Sequence, residues 1–152
     1  MVIIQDTREQ TPLRFNHPYI TDVVRKKLDV GDYGCEFNDG HEPNLYFERK
    51  SIGDLYGTMG KGYPRFKKEV ARATESNSQL IVVVEGSLTD VAKGYKYSRM
   101  KPESMVKKLF TLWMRYNLLT VYCSSRKEMS NYITQTYLAI GREYVKDRKE
   151  RK

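Results

Sequence analysis

The chain has 152 residues, of which 30% are charged, and its 27 lysine and arginine residues outnumber 19 acidic residues to give a formal net charge of +8. This length fits one compact domain, and 39% hydrophobic residues can form a core, which excludes wholesale disorder. No apolar run approaches the roughly 20 residues that span a bilayer, and the N-terminus lacks a signal-peptide layout. We therefore expect an intracellular protein with no membrane partner, cytoplasmic in a prokaryote or phage and nuclear in a eukaryote.

The surplus of positive charge is confined to the second half of the chain. Residues 1–76 contain 12 basic and 12 acidic residues, whereas residues 77–152 contain 15 basic and 7 acidic residues. A basic half indicates a polyanionic partner, with nucleic acid first and an anionic membrane surface second.

Cysteine and histidine are too scarce to form a metal site. The chain has only Cys35, Cys123, His17 and His41, and they are scattered. This excludes a disulfide scaffold and a zinc cluster. Any metal ion must therefore be held by carboxylates.

The first third of the chain is expected to form strands. Residues 2–6 are a short β-branched run that predicts a strand with Asp6 at its carboxyl end, and residues 23–28 fit either a strand or a helical turn. Two apolar-rich runs, residues 32–37 and 45–50, flank a cluster of turn-forming residues. This arrangement predicts a β-hairpin.

The rest of the chain alternates helices with strands. Ser51 is expected to cap a short helix, and Pro64 to begin a longer one that runs to about Thr74. The continuous apolar run at residues 79–85 is typical of a strand buried on both faces. The remaining predictions are a helix from Pro102, a strand at 119–123, an amphipathic helix from about Lys127, and a charged, disordered tail at 146–152 after a domain of residues 1–145. This order predicts an α/β fold with a mixed sheet flanked by helices.

Three charged side chains are expected to meet at one edge of the hairpin. Glu48 and Lys50 alternate to the same face of its second strand, and Asp32 begins the partner strand. Two carboxylates so placed can bind Mg²⁺, and the lysine can position or help deprotonate a metal-bound water, which suits hydrolysis of a phosphodiester. On spacing alone, the alternative is an ordinary solvated face.

Two further charged residues, Asp54 and Arg49, lie next to this group in the sequence. Asp54 falls in the first turn of the following helix, where it can orient Lys50 or the outer shell of a metal ion. Arg49 alternates to the opposite face of the strand. Its partner there is open between a DNA phosphate, Asp54 and Glu9.

A longer string around these residues resembles a known signature. Gly31-Asp32, followed after the hairpin by Glu-Arg-Lys-Ser-Ile-Gly-Asp at residues 48–54, is similar to the GD…ERKxxxD signature of the XPF-type structure-specific DNA endonucleases. Residues 6–9, Asp-Thr-Arg-Glu, resemble the DxRE segment that precedes it. The later segments that also fit the family are the helix with Arg65, Phe66 and Glu69 and the strand ending at Val84-Glu85-Gly86.

This resemblance implies a restriction-endonuclease-like fold of the PD-(D/E)xK class and a cut of DNA, dependent on Mg²⁺ or Mn²⁺, near junctions between duplex and single strand. It implies that Asp32 and Glu48 are metal ligands, with Asp6 as an accessory acid near the metal. Lys50 would be the water-positioning base or an electrostatic stabiliser. By the same resemblance, Arg49 and Asp54 complete the catalytic motif. Arg8 and Glu9 would support it from the neighbouring loop.

Eight basic residues are candidates for contact with DNA phosphates. They are Lys61, Arg65, Lys67, Lys68, Lys93, Lys96, Arg99 and Lys101. Tyr95 and Tyr97 alternate with the last group, as in a loop that follows a nucleic-acid backbone and stacks on bases. A solubilising loop whose tyrosines pack on the core is an equal alternative.

Members of the family commonly carry a helix-hairpin-helix domain or a helicase, for which the chain has no room. Grip on duplex DNA is therefore expected from the nuclease domain itself, the basic tail or a separate DNA-binding partner. The late aromatic residues are expected in the core, with a homodimer face as the alternative. They are Trp113, Tyr116, Tyr132, Tyr137 and Tyr144.

Two other functions stay open alongside a repair or recombination endonuclease. One is a non-catalytic DNA-binding subunit, which should have lost its acids, whereas Asp32, Glu48 and Asp54 are all present. The other is a nuclease of the same fold that acts on RNA or on DNA ends.

Overall fold

The structure is a computed structural model that describes all residues 1–152. Its elements, in chain order, are β1 (Val2–Gln5), β2 (Asp22–Arg25), β3 (Tyr33–Glu36), β4 (Leu45–Ser51), α1 (Ile52–Met59), α2 (Tyr63–Glu75), β5 (Gln79–Glu85), α3 (Leu88–Ala92), α4 (Pro102–Tyr116), β6 (Leu119–Cys123) and α5 (Arg126–Glu150). The strands form one sheet in the order β2-β1-β3-β4-β5-β6. β3 is antiparallel to both β1 and β4, and the other pairs are parallel. The predicted mixed sheet flanked by helices is confirmed.

Two hydrophobic clusters cover the two faces of the sheet. Strand β5 contributes to both, because Leu80, Val82 and Val84 belong to one cluster and Ile81 and Val83 to the other. Helices α1, α2 and α4 supply most of the first cluster, whereas α5 packs with the second. The prediction that β5 is buried on both faces is confirmed.

Local sequence signals account for the helix starts that the sequence predicts. The Ser51 hydroxyl accepts a hydrogen bond from the Asp54 amide at 3.1 Å, which caps α1, and a proline stands in the first turn of α2. The short helix α3 escapes prediction because five residues show no helical periodicity. A reciprocal capping box between Ser87 and Asp90 begins it.

The aromatic residues of α4 do not all lie in the core. The buried residues of this helix are Met105, Leu109 and Leu112, whereas Trp113 is 40% exposed and Tyr116 is 44% exposed. Leu112, and not Trp113, takes the inward position in this part of the helix. The expectation is therefore wrong for these two aromatics, although Tyr137 of α5 is fully buried.

The charged end of the chain is helical, where the sequence predicts disorder from residue 146. Helix α5 continues to Glu150. The hairpin loop supports it, since Asp39 accepts hydrogen bonds from the Tyr144 hydroxyl at 2.9 Å and the Arg148 guanidinium at 2.7 Å. No helix, including α5, combines the length and the apolar composition needed to cross a membrane.

Candidate active site

The turn before β3 places Asp32 against β4. Gly31 adopts a φ of 74°, and a Cβ there would lie 3.0 Å from the Phe47 carbonyl oxygen, so only glycine fits without strain. The Asp32 amide donates to that same oxygen at 2.7 Å. The Arg49 amide in turn donates to Asp32 Oδ2 at 2.8 Å. Backbone contacts thus fix the Asp32 carboxylate beside the middle of β4.

Glu48 and Lys50 project from the same face of β4, as strand alternation predicts. Glu48 is buried, and the Lys50 Nζ lies 3.3 Å from Glu48 Oε1. Together with Asp32, they line one open cavity. The two acids and the lysine that the motif singles out are therefore brought together.

A third carboxylate, from Glu69 of α2, lies in the same group. Its Oε1 accepts a hydrogen bond from the Gly31 amide at 2.9 Å, and its carboxyl group is among the neighbours that raise the pKa of Glu48. The sequence places Glu69 on the helix after the signature but indicates no role for it in the site. Its approach to Gly31 depends on how α2 packs against the sheet, which local sequence patterns do not specify.

Burial and repulsion from neighbouring carboxyl groups make Asp32 and Glu48 harder to ionise than free carboxyl groups. Burial raises the pKa of Asp32 to about 7, although the hydrogen bond from the Arg49 amide opposes the shift. Burial also raises the pKa of Glu48 well above its usual value, and the nearby Asp32 and Glu69 carboxyls add to this. The positive charge of Lys50 opposes both upward shifts without cancelling them.

The donor set fits a hard divalent cation. Carboxylate oxygens, such as those of Asp32 and Glu48, are ligands that Mg²⁺ and Mn²⁺ prefer. No three or more acidic, histidine or cysteine side chains converge on a single metal position. The carboxylates of Asp32 and Glu48 could hold such an ion, which would then keep several waters, as Mg²⁺ commonly does.

The oxygens of Asp6 are already engaged by the protein. Asp6 Oδ2 accepts from the Arg8 amide at 3.0 Å and from Arg8 Nε at 2.8 Å, and Oδ1 accepts from the Leu28 amide at 2.7 Å. Burial raises the pKa of Asp6, but the hydrogen bonds from Arg8 and Leu28 outweigh burial, so the pKa lies below its usual value. Asp6 lines the cavity wall, and these bonds favour an organising role over direct ligation of a metal.

Arg49 pairs with Glu9 on the other side of β4. Of the three partners that the sequence leaves open, the structure therefore selects Glu9. Its Nε and Nη2 donate to the two Glu9 oxygens at 3.0 and 2.9 Å, and Nη2 also donates to the Thr11 hydroxyl. The side chains of Arg49 and Glu9 are only 9% and 5% exposed. Such a buried bidentate pair links the loop after β1 to β4 and leaves no room for a DNA phosphate.

The cavity has a volume of 480 Å³ and both signs of charge on its wall. Asp54 lines it at the start of α1, and Arg65 lines it from α2. Arg72 also lines it, two turns after Arg65, although no sequence motif singles it out. The charged lining residues are Asp6, Arg8, Asp32, Glu48, Lys50, Asp54, Arg65, Glu69 and Arg72.

The other candidate DNA contacts lie in three places on the surface. Lys61 and Lys68 are exposed near the cavity rim on the α1–α2 connection and α2, whereas Lys67 lies over the Tyr63 ring and lines a separate groove with Leu112 of α4. The last region is the exposed α3–α4 connection. It carries Lys93, Lys96, Arg99 and Lys101.

The contact between Glu69 and Gly31 is expected to stabilise the turn that carries Asp32. We expect Glu69→Ala to lower the free energy of unfolding by about 1–3 kcal/mol, because the part-buried Gly31 amide loses its acceptor. Glu69→Gln should keep most of the stability, since an amide oxygen can accept the same bond. Urea denaturation of the two variants measures this, and an equal loss in both would contradict the assigned contact.

A six-stranded mixed sheet with two carboxylates and a lysine beside the central hairpin is the arrangement of the restriction-endonuclease-like α/β class. Among protein families, the ERCC4 domain matches residues 5–136. The chain therefore belongs to the ERCC4 domain family, the XPF-type nucleases that its sequence motif resembles.

Two solved structures share the fold. One is "XPF from Aeropyrum pernix", with a TM-score of 0.64 and 19% identity over 88% of this chain and 63% of that one. The other is "XPF from Aeropyrum pernix, complex with DNA", with a TM-score of 0.65 and 21% identity over 88% of this chain and 62% of that one. The chain thus spans about three fifths of their length. No curated protein matches it.

Proposed function

We propose that the protein is a DNA endonuclease that depends on Mg²⁺ or Mn²⁺ and cuts branched DNA, such as flaps, forks or junctions, inside the cell during repair or recombination. The observation that carries this proposal is the convergence of Asp32, Glu48 and Lys50 in one open cavity. Membership of the ERCC4 domain family supports a nuclease. The neighbour that was solved in complex with DNA supports DNA as the substrate.

The residues of the cavity would have different roles in phosphodiester hydrolysis. Asp32 and Glu48 would hold the metal ion, which when bound acts as a Lewis acid on the phosphate and makes a water more acidic. Lys50, whose Nζ is within 3.3 Å of Glu48, can hold the attacking water or stabilise charge on the phosphate. Arg65 and Arg72 stand on the wall, where a guanidinium can bind a phosphate through two donors.

The exposed cations around the cavity extend this surface. Lys61, Lys68 and the basic α3–α4 connection would neutralise phosphates on either side of the cut. Because such contacts release counterions, binding should weaken steeply with added salt. The grip on duplex DNA would then come from this domain, with or without a separate DNA-binding partner.

The exposed aromatic face of α4 supports the proposal that the domain pairs with a second copy. Phe110 and Trp113 lie 6.2 Å apart between ring centroids, and Met114 is also exposed. Apolar side chains grouped on one helix are typical of an interface. Light scattering at micromolar concentration would measure the mass, and a monomer would contradict the homodimer.

Cleavage of a set of labelled substrates tests the function directly. The set contains single-stranded DNA, blunt duplex, flap, fork and RNA, each with Mg²⁺, with Mn²⁺ and with EDTA. We expect cuts near the branch of flap or fork DNA with either metal and none with EDTA. Cleavage in EDTA would contradict the metal role, preferred cleavage of RNA or of DNA ends would contradict the substrate, and binding without any cleavage would indicate a non-catalytic subunit.

A further inference from the structure

The connection between α3 and α4 carries two tyrosines that the proposed hydrolysis does not use. Tyr97 is 76% exposed, more than any other large hydrophobic side chain, whereas Tyr95 is half-buried. The two rings meet edge to face with centroids 5.5 Å apart. The Tyr95 ring therefore supports the Tyr97 ring, and the exposed Tyr97 ring offers a flat apolar surface to the solvent.

Tyr95 ties this connection to the wall of the active-site cavity. A Cβ added to Gly53 would lie 2.9 Å from the Tyr95 hydroxyl oxygen and from its ring, so Tyr95 occupies the space over Gly53. Gly53 is in the first turn of α1 and lines the cavity. On its other side, Tyr95 approaches Tyr56, with ring centroids 6.1 Å apart. Tyr97 is therefore linked to the cavity wall through Tyr95, which contacts both Tyr97 and Gly53.

The backbone holds Tyr97 in place. The Ser98 amide donates to the Tyr95 carbonyl at 2.9 Å, which closes a turn with Tyr97 as its third residue. The Met100 amide donates to the Ser98 hydroxyl at 3.2 Å and continues the ordered path into α4. An aromatic ring fixed by a closed turn loses little conformational freedom when it binds a ligand.

One cation lies over the exposed ring, and two more follow it in the sequence. The Lys96 Nζ lies 4.8 Å from the Tyr97 ring centroid, and Arg99 and Lys101 follow within the same connection. None of these three forms an ion pair in the structure, whereas Lys93 lies 3.9 Å from Asp90. An aromatic stacking surface among unpaired cations is the chemistry that binds single-stranded nucleic acid.

We propose that Tyr97 is a stacking site for an unpaired nucleobase of the substrate, with Lys96 and Arg99 binding the phosphates beside it. The location of this site next to the cut rests on the proposed function. It specifies the substrate class as DNA with an unpaired nucleotide beside the cleaved phosphate. A fully paired duplex cannot use the site, because both faces of each internal base are already stacked within the helix.

Stacking can be measured apart from cleavage. Single-stranded DNA that contains 2-aminopurine would be titrated with the protein in EDTA, and stacking on Tyr97 should quench its fluorescence. Tyr97→Ala is expected to weaken binding of single-stranded and forked DNA by about 10-fold and to abolish the quench. Tyr97→Phe should keep both, because the ring remains. Tyr19→Ala removes another exposed tyrosine, in a separate groove, and should change nothing.

Three outcomes of the binding and quenching measurements would overturn the stacking site, in addition to normal binding by Tyr97→Ala. They are no quench in the unaltered protein, an equal loss of blunt-duplex binding in Tyr97→Ala, or a loss in Tyr97→Phe as large as in Tyr97→Ala. Cleavage with Mg²⁺ keeps the two proposals distinct. A protein that quenches 2-aminopurine but cuts no substrate contradicts the nuclease alone, and one that cuts branched DNA while Tyr97→Ala binds normally contradicts the stacking site alone.

Discussion

Replacing Asp32 with asparagine, or Lys50 with alanine, is expected to reduce cleavage of branched DNA by about 10²–10³-fold or more while DNA binding is retained. The asparagine amide oxygen can still accept the bond from the Arg49 amide, so the fold should persist. What is lost in the first variant is a charged ligand oxygen for the metal ion. The second variant loses the cation that lies 3.3 Å from Glu48.

Single-turnover cleavage of a labelled fork, together with fluorescence anisotropy for binding, measures both effects. Asp22→Asn is a matched control, because Asp22 is an exposed acid on the edge strand β2 and should leave cleavage unchanged. If Asp32→Asn and Lys50→Ala both cut as fast as the unaltered protein, the assignment of this cavity as the active site is wrong.

Replacing Arg49 with alanine is expected to lower the free energy of unfolding by about 3–5 kcal/mol. The change leaves the Glu9 carboxylate buried without its bidentate partner, since both side chains are almost fully enclosed. Arg49→Lys should recover only part of the loss, because an ammonium cannot reproduce the two parallel hydrogen bonds. Urea denaturation followed by circular dichroism gives the values.

An exposed ion pair provides the control for this loss. Lys146 pairs with Glu143 at 3.0 Å on the surface of α5, and Lys146→Ala should cost no more than about 0.5 kcal/mol. The double variant Arg49→Met with Glu9→Gln removes both charges and should be more stable than Arg49→Ala alone. A loss at Arg49 no larger than the loss at Lys146 would show that the buried pair does not hold the loop to the sheet.

The parts of the fold that depend on local patterns are predictable from the sequence. Alternation along a strand places Glu48 and Lys50 on one face, and the turn formers after β3 predict the hairpin, because neither depends on distant contacts. Glu69 and Arg72 could not be assigned to the site in this way, since their position depends on how α2 docks against the sheet. Covariation with the hairpin residues would be the kind of signal that reports it.

Long-range contacts also explain the errors. Helix α4 is amphipathic over a wide arc, so its sequence allows either Leu112 or Trp113 to face inward, and packing against the sheet selects Leu112. The end of α5 is held by Asp39, more than 100 residues earlier, which a reading of the charged tail alone cannot include.

Arg49 supports both the loop after β1 and the candidate site. Its side chain pairs with Glu9, and its backbone amide donates to the Asp32 carboxylate. A mutational scan scored at one temperature would therefore place Arg49 beside Lys50 as equally essential, although Arg49 does not reach the cavity. Temperature separates them, because Arg49 variants should regain cleavage on cooling as the fold recovers, whereas Lys50 variants should stay inactive at every temperature at which they are folded.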